Sequence, residues 1–262
     1  MTGGRIVSSR SGPIASIVFD NPAAHNALTR QMWNDLRELC LALAKDHTVR
    51  VVTFRGRGGK AFVSGTDIGH FLSFTSGRDG IAYEREIDAA MGAIDALPMT
   101  TVAVIEGWAV GGGLNILSAA DFRIATRDAR VGSPLGRTIG NCLSMSSYAR
   151  VAGAVGMSAA KRMLLLGEVL TAQELLSSGV LYKVVDPAEL DAAVAQLCER
   201  AAANAPLTTR ATKEALRRMT REALPNIDDL IELVYGSEDF KRGVRAFLEK
   251  KGKKEPPDWT GS

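Results

Sequence analysis

The sequence predicts an α/β fold: a buried, largely parallel sheet with helices between its strands, followed by a helical C-terminal part. Three observations lead there. Runs such as "VRVVTFRG" (49–56) and "TTVAVIEG" (100–107) are apolar and β-branched throughout, the pattern of strands covered on both faces. Segments with apolar residues at helical spacing separate such runs, an alternation that builds parallel sheets. From about Asp191 onward strand patterns cease and helical ones fill the chain, broken at Pro206 and Pro225.

In chain order, "GPIASIVFDNP" (12–22) reads as a strand closed by an Asn-Pro turn. Thr29 is a helix N-cap before a stretch in which Met32, Leu36, Leu39 and Leu43 share one face. The strand at 49–56 runs through a glycine-rich turn into "KAFVSGTDIGHF" (60–71), a strand that passes Ser64-Gly65 and starts a helix. Residues 81–97 read as a helix, and the strand at 100–107 leads to Gly111–Gly113, which opens another. "FRIATRDARVGSP" (122–134) supplies one or two short strands, and residues 158–186 read as helix, turn, helix and strand. The charged tail from Lys250, with Pro256 and Pro257, is expected to fray.

Composition narrows the function classes. A 46% hydrophobic content over 262 residues supports a sizeable core, and a formal charge of +3 is too small to argue for nucleic acid or an acidic membrane. The basic run Lys250–Lys254 reads as a solvated helix end rather than a nucleic-acid patch. Cys40, Cys142 and Cys198 show no Cys-x-x-Cys spacing, and His25, His47 and His70 are scattered, so no metal site is expected and a reducing compartment is the simpler setting. No apolar span of about 20 residues and no apolar leader appear, so the expectation is a cytoplasmic protein without a membrane partner. Neither a phosphate-binding P-loop nor a Gly-x-Ser-x-Gly elbow is present.

The informative motif is glycine at two strand–helix junctions. A backbone without Cβ approaches a ligand closely, and N–H groups at a helix start carry partial positive charge suited to a developing oxyanion. Gly111–Gly113 suits half of such a cradle, or simply tight strand–helix packing. Ser64-Gly65, about 45 residues earlier, offers a second junction whose N–H groups can converge with the first.

Together, "DNPAAHNALTRQMW", "GGKAFVSGTDI", "VAVIEGWAVGGGLNILSAADFRIA", "AKRMLLLGEVLTAQELLSSGVLYKVV" and "DFKRGVRAFLEKKGK" resemble, in order, the motifs of the enoyl-CoA hydratase/isomerase family, the crotonase superfamily. The resemblance implies a spiral of ββα units over residues 1–200 and a C-terminal helical region, 201–262, used for trimerisation. It implies an acyl-CoA thioester substrate, no cofactor beyond that coenzyme A, and a homotrimer or dimer of trimers. The thioester oxygen would be held by the N–H groups of Thr66 and Gly112. Ala24, His25, Asp67, Ile68 and Gly69 would line the coenzyme A path. Phe247 and Lys250 match positions that reach the nucleotide end, commonly from a neighbouring subunit.

Two positions depart from the family pattern. Hydratases of this family carry one glutamate where this chain has Asn115 and another where it has Leu135. Asparagine hydrogen-bonds water but takes no proton at neutral pH, and leucine does neither. In "YEREID" (83–88), Glu84 and Asp88 share a helix face at i and i+4 and can take over the proton handling; the alternative is a solvated face with Arg85 as ion-pair partner. Asn115 would then orient a water or the acyl chain. Cys142 is either a nucleophile or a packed, inert thiol, with no His or Lys nearby in sequence. Arg137 either meets a charged acyl group or pairs at the surface. The expected reaction is hydration or dehydration of an enoyl-CoA, with decarboxylation, thioester hydrolysis, dehalogenation or mere acyl-CoA binding as competitors.

Overall fold

The computed structural model describes residues 3–221 and 226–249. Strands β1 (Arg5–Ser11) and β2 (Ile14–Asp20) form an antiparallel hairpin, and α1 (Arg30–Leu43) follows, capped by Thr29, whose hydroxyl accepts from the Met32 N–H at 3.2 Å. A repeating unit comes next. Strands β3 (Val51–Gly56) and β4 (Ala61–Val63) lead to α2 (Gly77–Asp95), β5 (Thr100–Ile105) and β6 (Trp108–Val110) to α3 (Gly112–Ala119). Strands β7 (Phe122–Thr126) and β8 (Arg130–Gly132) lead to the single turn α4 (Leu135–Thr138) and to α5 (Met145–Val155). The chain continues through α6 (Met157–Leu165), β9 (Val169–Thr171), α7 (Ala172–Ser177), β10 (Lys183–Val185) and α8 (Leu190–Ala202). It ends in α9 (Pro206–Arg221), α10 (Asp228–Tyr235) and α11 (Glu238–Glu249).

In each unit the first strand joins one sheet and the second joins another. The six-stranded sheet has the order β1-β2-β3-β5-β7-β10 and the four-stranded sheet the order β4-β6-β8-β9. Pairings are parallel except β1–β2 and β8–β9. This is the ββα spiral implied by the family resemblance. Both faces of the larger sheet are covered, as its uninterrupted apolar strands require. Phe19, Phe54, Met32, Leu36 and Met91 pack on one side, while Val51, Val102 and Val104 meet Leu190 and Leu197 of α8 on the other.

Some elements differ from the sequence reading. β1 was not anticipated, because its residues are mostly exposed and polar, as an edge strand's can be, and show no apolar alternation. The helix expected over 81–97 spans Gly77–Asp95, its start fixed by Asp79, whose carboxylate accepts from the Ser76 N–H at 2.9 Å. β9 is a three-residue strand in a stretch read as a turn, and α5 falls in a stretch to which the sequence reading assigned no element. Among the described residues no helix is long and apolar enough to cross a membrane, and no group of side chains has metal-holding geometry.

Candidate active site

The two glycine junctions converge because their strands are neighbours. β4 and β6 run parallel, with Val63 beside Ala109, so the turns that follow them leave the sheet side by side. Both need glycine: φ is +122° at Gly65 and +55° at Gly111. Their main chains touch, since a Cβ on Gly111 would stand 3.5 Å from the Gly65 Cα. At the first turn, Leu28 bonds the Gly65 carbonyl (2.9 Å) and the Asp67 N–H (2.9 Å), so the intervening Thr66 N–H faces the opposite side. At the second, Gly112 is the first residue of α3, where N–H groups have no intrahelical acceptor. Thr66 and Gly112 line one cavity of about 240 Å³.

The Thr66 side chain is fixed by two donors, the Trp33 indole N–H (3.3 Å) and the Tyr83 hydroxyl (3.1 Å). Ala24 and His25 are exposed beside the same turn, where the Ser64 hydroxyl donates to the Ala24 carbonyl (3.1 Å) and the Ser64 N–H to that of His25 (3.2 Å). Asp67 caps the following short 3-10 helix by accepting from the Gly69 N–H at 3.0 Å, and Ile68 enters the cavity wall. Phe247 of α11 also lines the cavity, so this chain's own C-terminal helix reaches it. Lys250 lies outside the described residues.

The wall is largely apolar, with Trp33, Phe71, Ile87, Leu135, Ile139 and Leu143 among its residues. Positions 115 and 135, the two departures from the family pattern, both face this cavity. Asn115 is buried and held: its Nδ2 donates to Ser147 Oγ (2.8 Å) and its Oδ1 accepts from Arg150 Nη1 (3.1 Å). Arg150 is itself buried and pairs with Asp95 at 3.0 Å, and burial pulls its guanidinium down to about 10.

Among the described residues one carboxyl reaches the cavity. Glu84 is 3% exposed, which rules out the solvated face, and Arg85 pairs instead with Asp228 of α10 at 2.6 Å. Its Oε2 accepts from the Ser144 N–H (2.8 Å) and its Oε1 from the Tyr235 hydroxyl (2.7 Å). Burial pushes the carboxyl up to about 7, reinforced by the like charge of Asp88 and opposed by those two donors. Asp88, one turn on, does not line this cavity. It accepts from Ser144 Oγ (2.7 Å) and borders a second cavity with Ser144 and Asp228. Sequence reasoning set Glu84 and Asp88 on one helix face but missed Tyr235 and Ser144, which lie 151 and 60 residues from Glu84 and are brought to it only by tertiary packing.

Cys142 is half-buried, and burial followed by the charge of Glu84 pushes its thiol up to about 12, away from nucleophile chemistry. Cys142→Ala is therefore expected to retain turnover within about threefold; steady-state rates of the two proteins check it, and abolished turnover would restore the nucleophile reading. Arg137 is exposed, its stem lies over Gly167, and it is not part of the cavity wall.

The comparisons agree with this architecture. A family model described as enoyl-CoA hydratase/isomerase matches residues 9–261. A crotonyl-CoA hydratase of Syntrophomonas wolfei is 29% identical over 253 residues, covering 94% of this chain and 95% of that one. An (E)-benzylidenesuccinyl-CoA hydratase of Thauera aromatica is 30% identical over 255 residues, covering 92% and 94%. A methylmalonyl-CoA decarboxylase solved with 2-nitronate-propionyl-CoA superposes with a TM-score of 0.87 at 26% identity, over 98% of this chain and 99% of that chain. The chain belongs to the enoyl-CoA hydratase/isomerase family of acyl-CoA enzymes.

Proposed function

We propose that this protein adds water to, or removes it from, an enoyl-CoA with an uncharged, apolar acyl group, using Glu84 in place of the family's two glutamates. The observation that carries the reading is a buried carboxyl, poised near neutrality, in the wall of the cavity where the two glycine turns meet. The N–H groups of Thr66 and Gly112 hold the thioester oxygen. As the water oxygen bonds to the β-carbon, the Glu84 carboxylate takes a water proton and the alkene electron pair moves into a thioester enolate. Glu84 then returns the proton to the α-carbon. Asn115, its amide already oriented by Ser147 and Arg150, has a second Nδ2–H with which to hold the water.

The coenzyme A moiety runs past Ala24, His25, Asp67, Ile68 and Gly69, with Phe247 closing the wall, and no further cofactor takes part. The similarity to a methylmalonyl-CoA decarboxylase raises a competing reaction from the same cradle. A substrate carboxylate would meet Glu84, however, and no Lys, Arg or His among the described lining residues. Exposed Leu207, Leu216 and Met219 on α9 give the 201–262 region an apolar surface for further copies in a trimer or dimer of trimers, while α10 and α11 serve the cavity.

The test is the absorbance of the conjugated thioester when the protein meets a panel of trans-2-enoyl-CoAs. Steady loss with apolar acyl chains, and none with a carboxylated enoyl-CoA, is the expected result. No loss with any member of the panel would reject hydration.

A further inference from the structure

The C-terminal helix α10 reaches Glu84 through the side chain of Tyr235. α10 packs on α2 at Gly80, where a Cβ would come within 2.2 Å of the Tyr235 ring. Only glycine permits that approach, and it brings the Tyr235 hydroxyl to Glu84. Tyr235 is 1% exposed and packs against Phe71, Phe74 and Phe240. Its oxygen accepts from Asn141 Nδ2 (3.1 Å), and its single hydrogen has two acceptors in reach, Glu84 Oε1 at 2.7 Å and the Cys142 carbonyl at 3.3 Å.

We propose that Tyr235 is a positioning residue for Glu84, a hydroxyl that turns between the carboxylate and the Cys142 carbonyl so that Glu84 stays hydrogen-bonded whether or not it carries its proton. With Glu84 ionised, Tyr235 donates to Oε1. With Glu84 protonated, the carboxyl donates to the Tyr235 oxygen, and the tyrosine hydrogen turns to the Cys142 carbonyl. Asn141 donates to the tyrosine in both states. A buried titrating group otherwise loses a partner in one state. Because α11, which follows α10, places Phe247 in the cavity wall, seating these helices supplies both the acyl wall and the partner of the acid/base.

This inference rests on Glu84 as the proton-handling group. The other ionisable groups near Glu84 are Asp88 and Tyr83 on α2, Cys142 in the loop before α5, Tyr148 and Arg150 of α5, and the Arg85–Asp228 pair across the second cavity.

Tyr235→Phe tests it. The acidic limb of the kcat profile is expected to move to higher pH, because the bond lost by the charged carboxylate is stronger than the one lost by the neutral acid. At neutral pH kcat falls roughly tenfold, with KM changed by no more than about threefold. A purely structural tyrosine would lower the melting temperature and leave the limb in place. Carbon-13 carboxyl spectra of the labelled protein, with Glu84→Gln assigning the signal, report the same shift without turnover. An unmoved limb and an unmoved Glu84 titration overturn the proposal. Full turnover by Glu84→Gln overturns the hydration reading itself and this inference with it. Should Tyr235→Phe not fold, Asn141→Ala, which removes the donor behind the hydroxyl, is expected to shift the limb the same way by less, and an unmoved limb there is equally fatal.

Discussion

Glu84→Gln is expected to lower turnover by on the order of 10²- to 10⁴-fold and, above neutral pH, to raise the melting temperature. The two effects have one cause. In the folded chain burial holds the carboxyl up at about 7, against its ordinary value of 4.5. Between those values the folded state binds more proton than the unfolded one, so stability declines as pH rises through that window. The deficit is complete above about pH 7 and absent below about 4.5, and it amounts to on the order of 3 kcal/mol. Glutamine removes it. The amide carbonyl can accept from the Ser144 N–H, and its NH₂ can donate to the Tyr235 oxygen, whose hydrogen then turns to the Cys142 carbonyl. Melting curves at pH 5 and pH 8, beside steady-state rates with an enoyl-CoA, measure both. A gain in stability that is the same at both pH values would contradict the buried-charge account, and unchanged turnover would remove Glu84 from the reaction.

The cradle was legible in the sequence because its cause is local. A strand, a glycine with positive φ and a helix start are each written in consecutive residues, and adjacency of β4 and β6 does the rest. Glu84 and Asp88 were legible as a pair for the same reason, through helical spacing. Their separation into different surroundings was not. Which of the two meets the cavity beside the glycine turns depends on where α5 and its cap deliver Ser144 and Ser147 and where α10 delivers Tyr235, contacts that span 56 to 151 residues. The edge strand β1 escaped notice because it is mostly exposed, so no alternation of apolar residues betrays it. Asn115 read as a replaced glutamate left to orient a water or the acyl chain. In the folded chain it is one member of a buried polar chain through Ser147 and Arg150 to Asp95, a role that no short motif announces.

Gly113→Ala is expected to destabilise the protein by about 3 kcal/mol or more and to disable the cradle along with it. In a helix interior, glycine to alanine ordinarily stabilises by about 0.5–1 kcal/mol. Position 113 reverses the sign, because an added Cβ would meet the Val63 carbonyl oxygen at 2.1 Å and the Val63 carbonyl carbon at 3.1 Å. Both atoms belong to the main chain of β4, which is paired with β6 and cannot swing aside as a side chain can. α3 must therefore lift from the sheet, carrying the Gly112 N–H away from that of Thr66. Loss of one such donor typically costs about 10²- to 10³-fold in turnover. Gly92→Ala provides the contrast: it lies on the exposed side of α2, where an added Cβ would find no atom within 4 Å, so it should raise the melting temperature slightly and leave turnover alone. Melting temperatures and kcat for the two variants, measured together, separate a steric demand at the cradle from a general effect of alanine in helices. If Gly113→Ala melted like Gly92→Ala and kept its turnover, the close packing of α3 on β4 could not be what holds the Gly112 N–H in place.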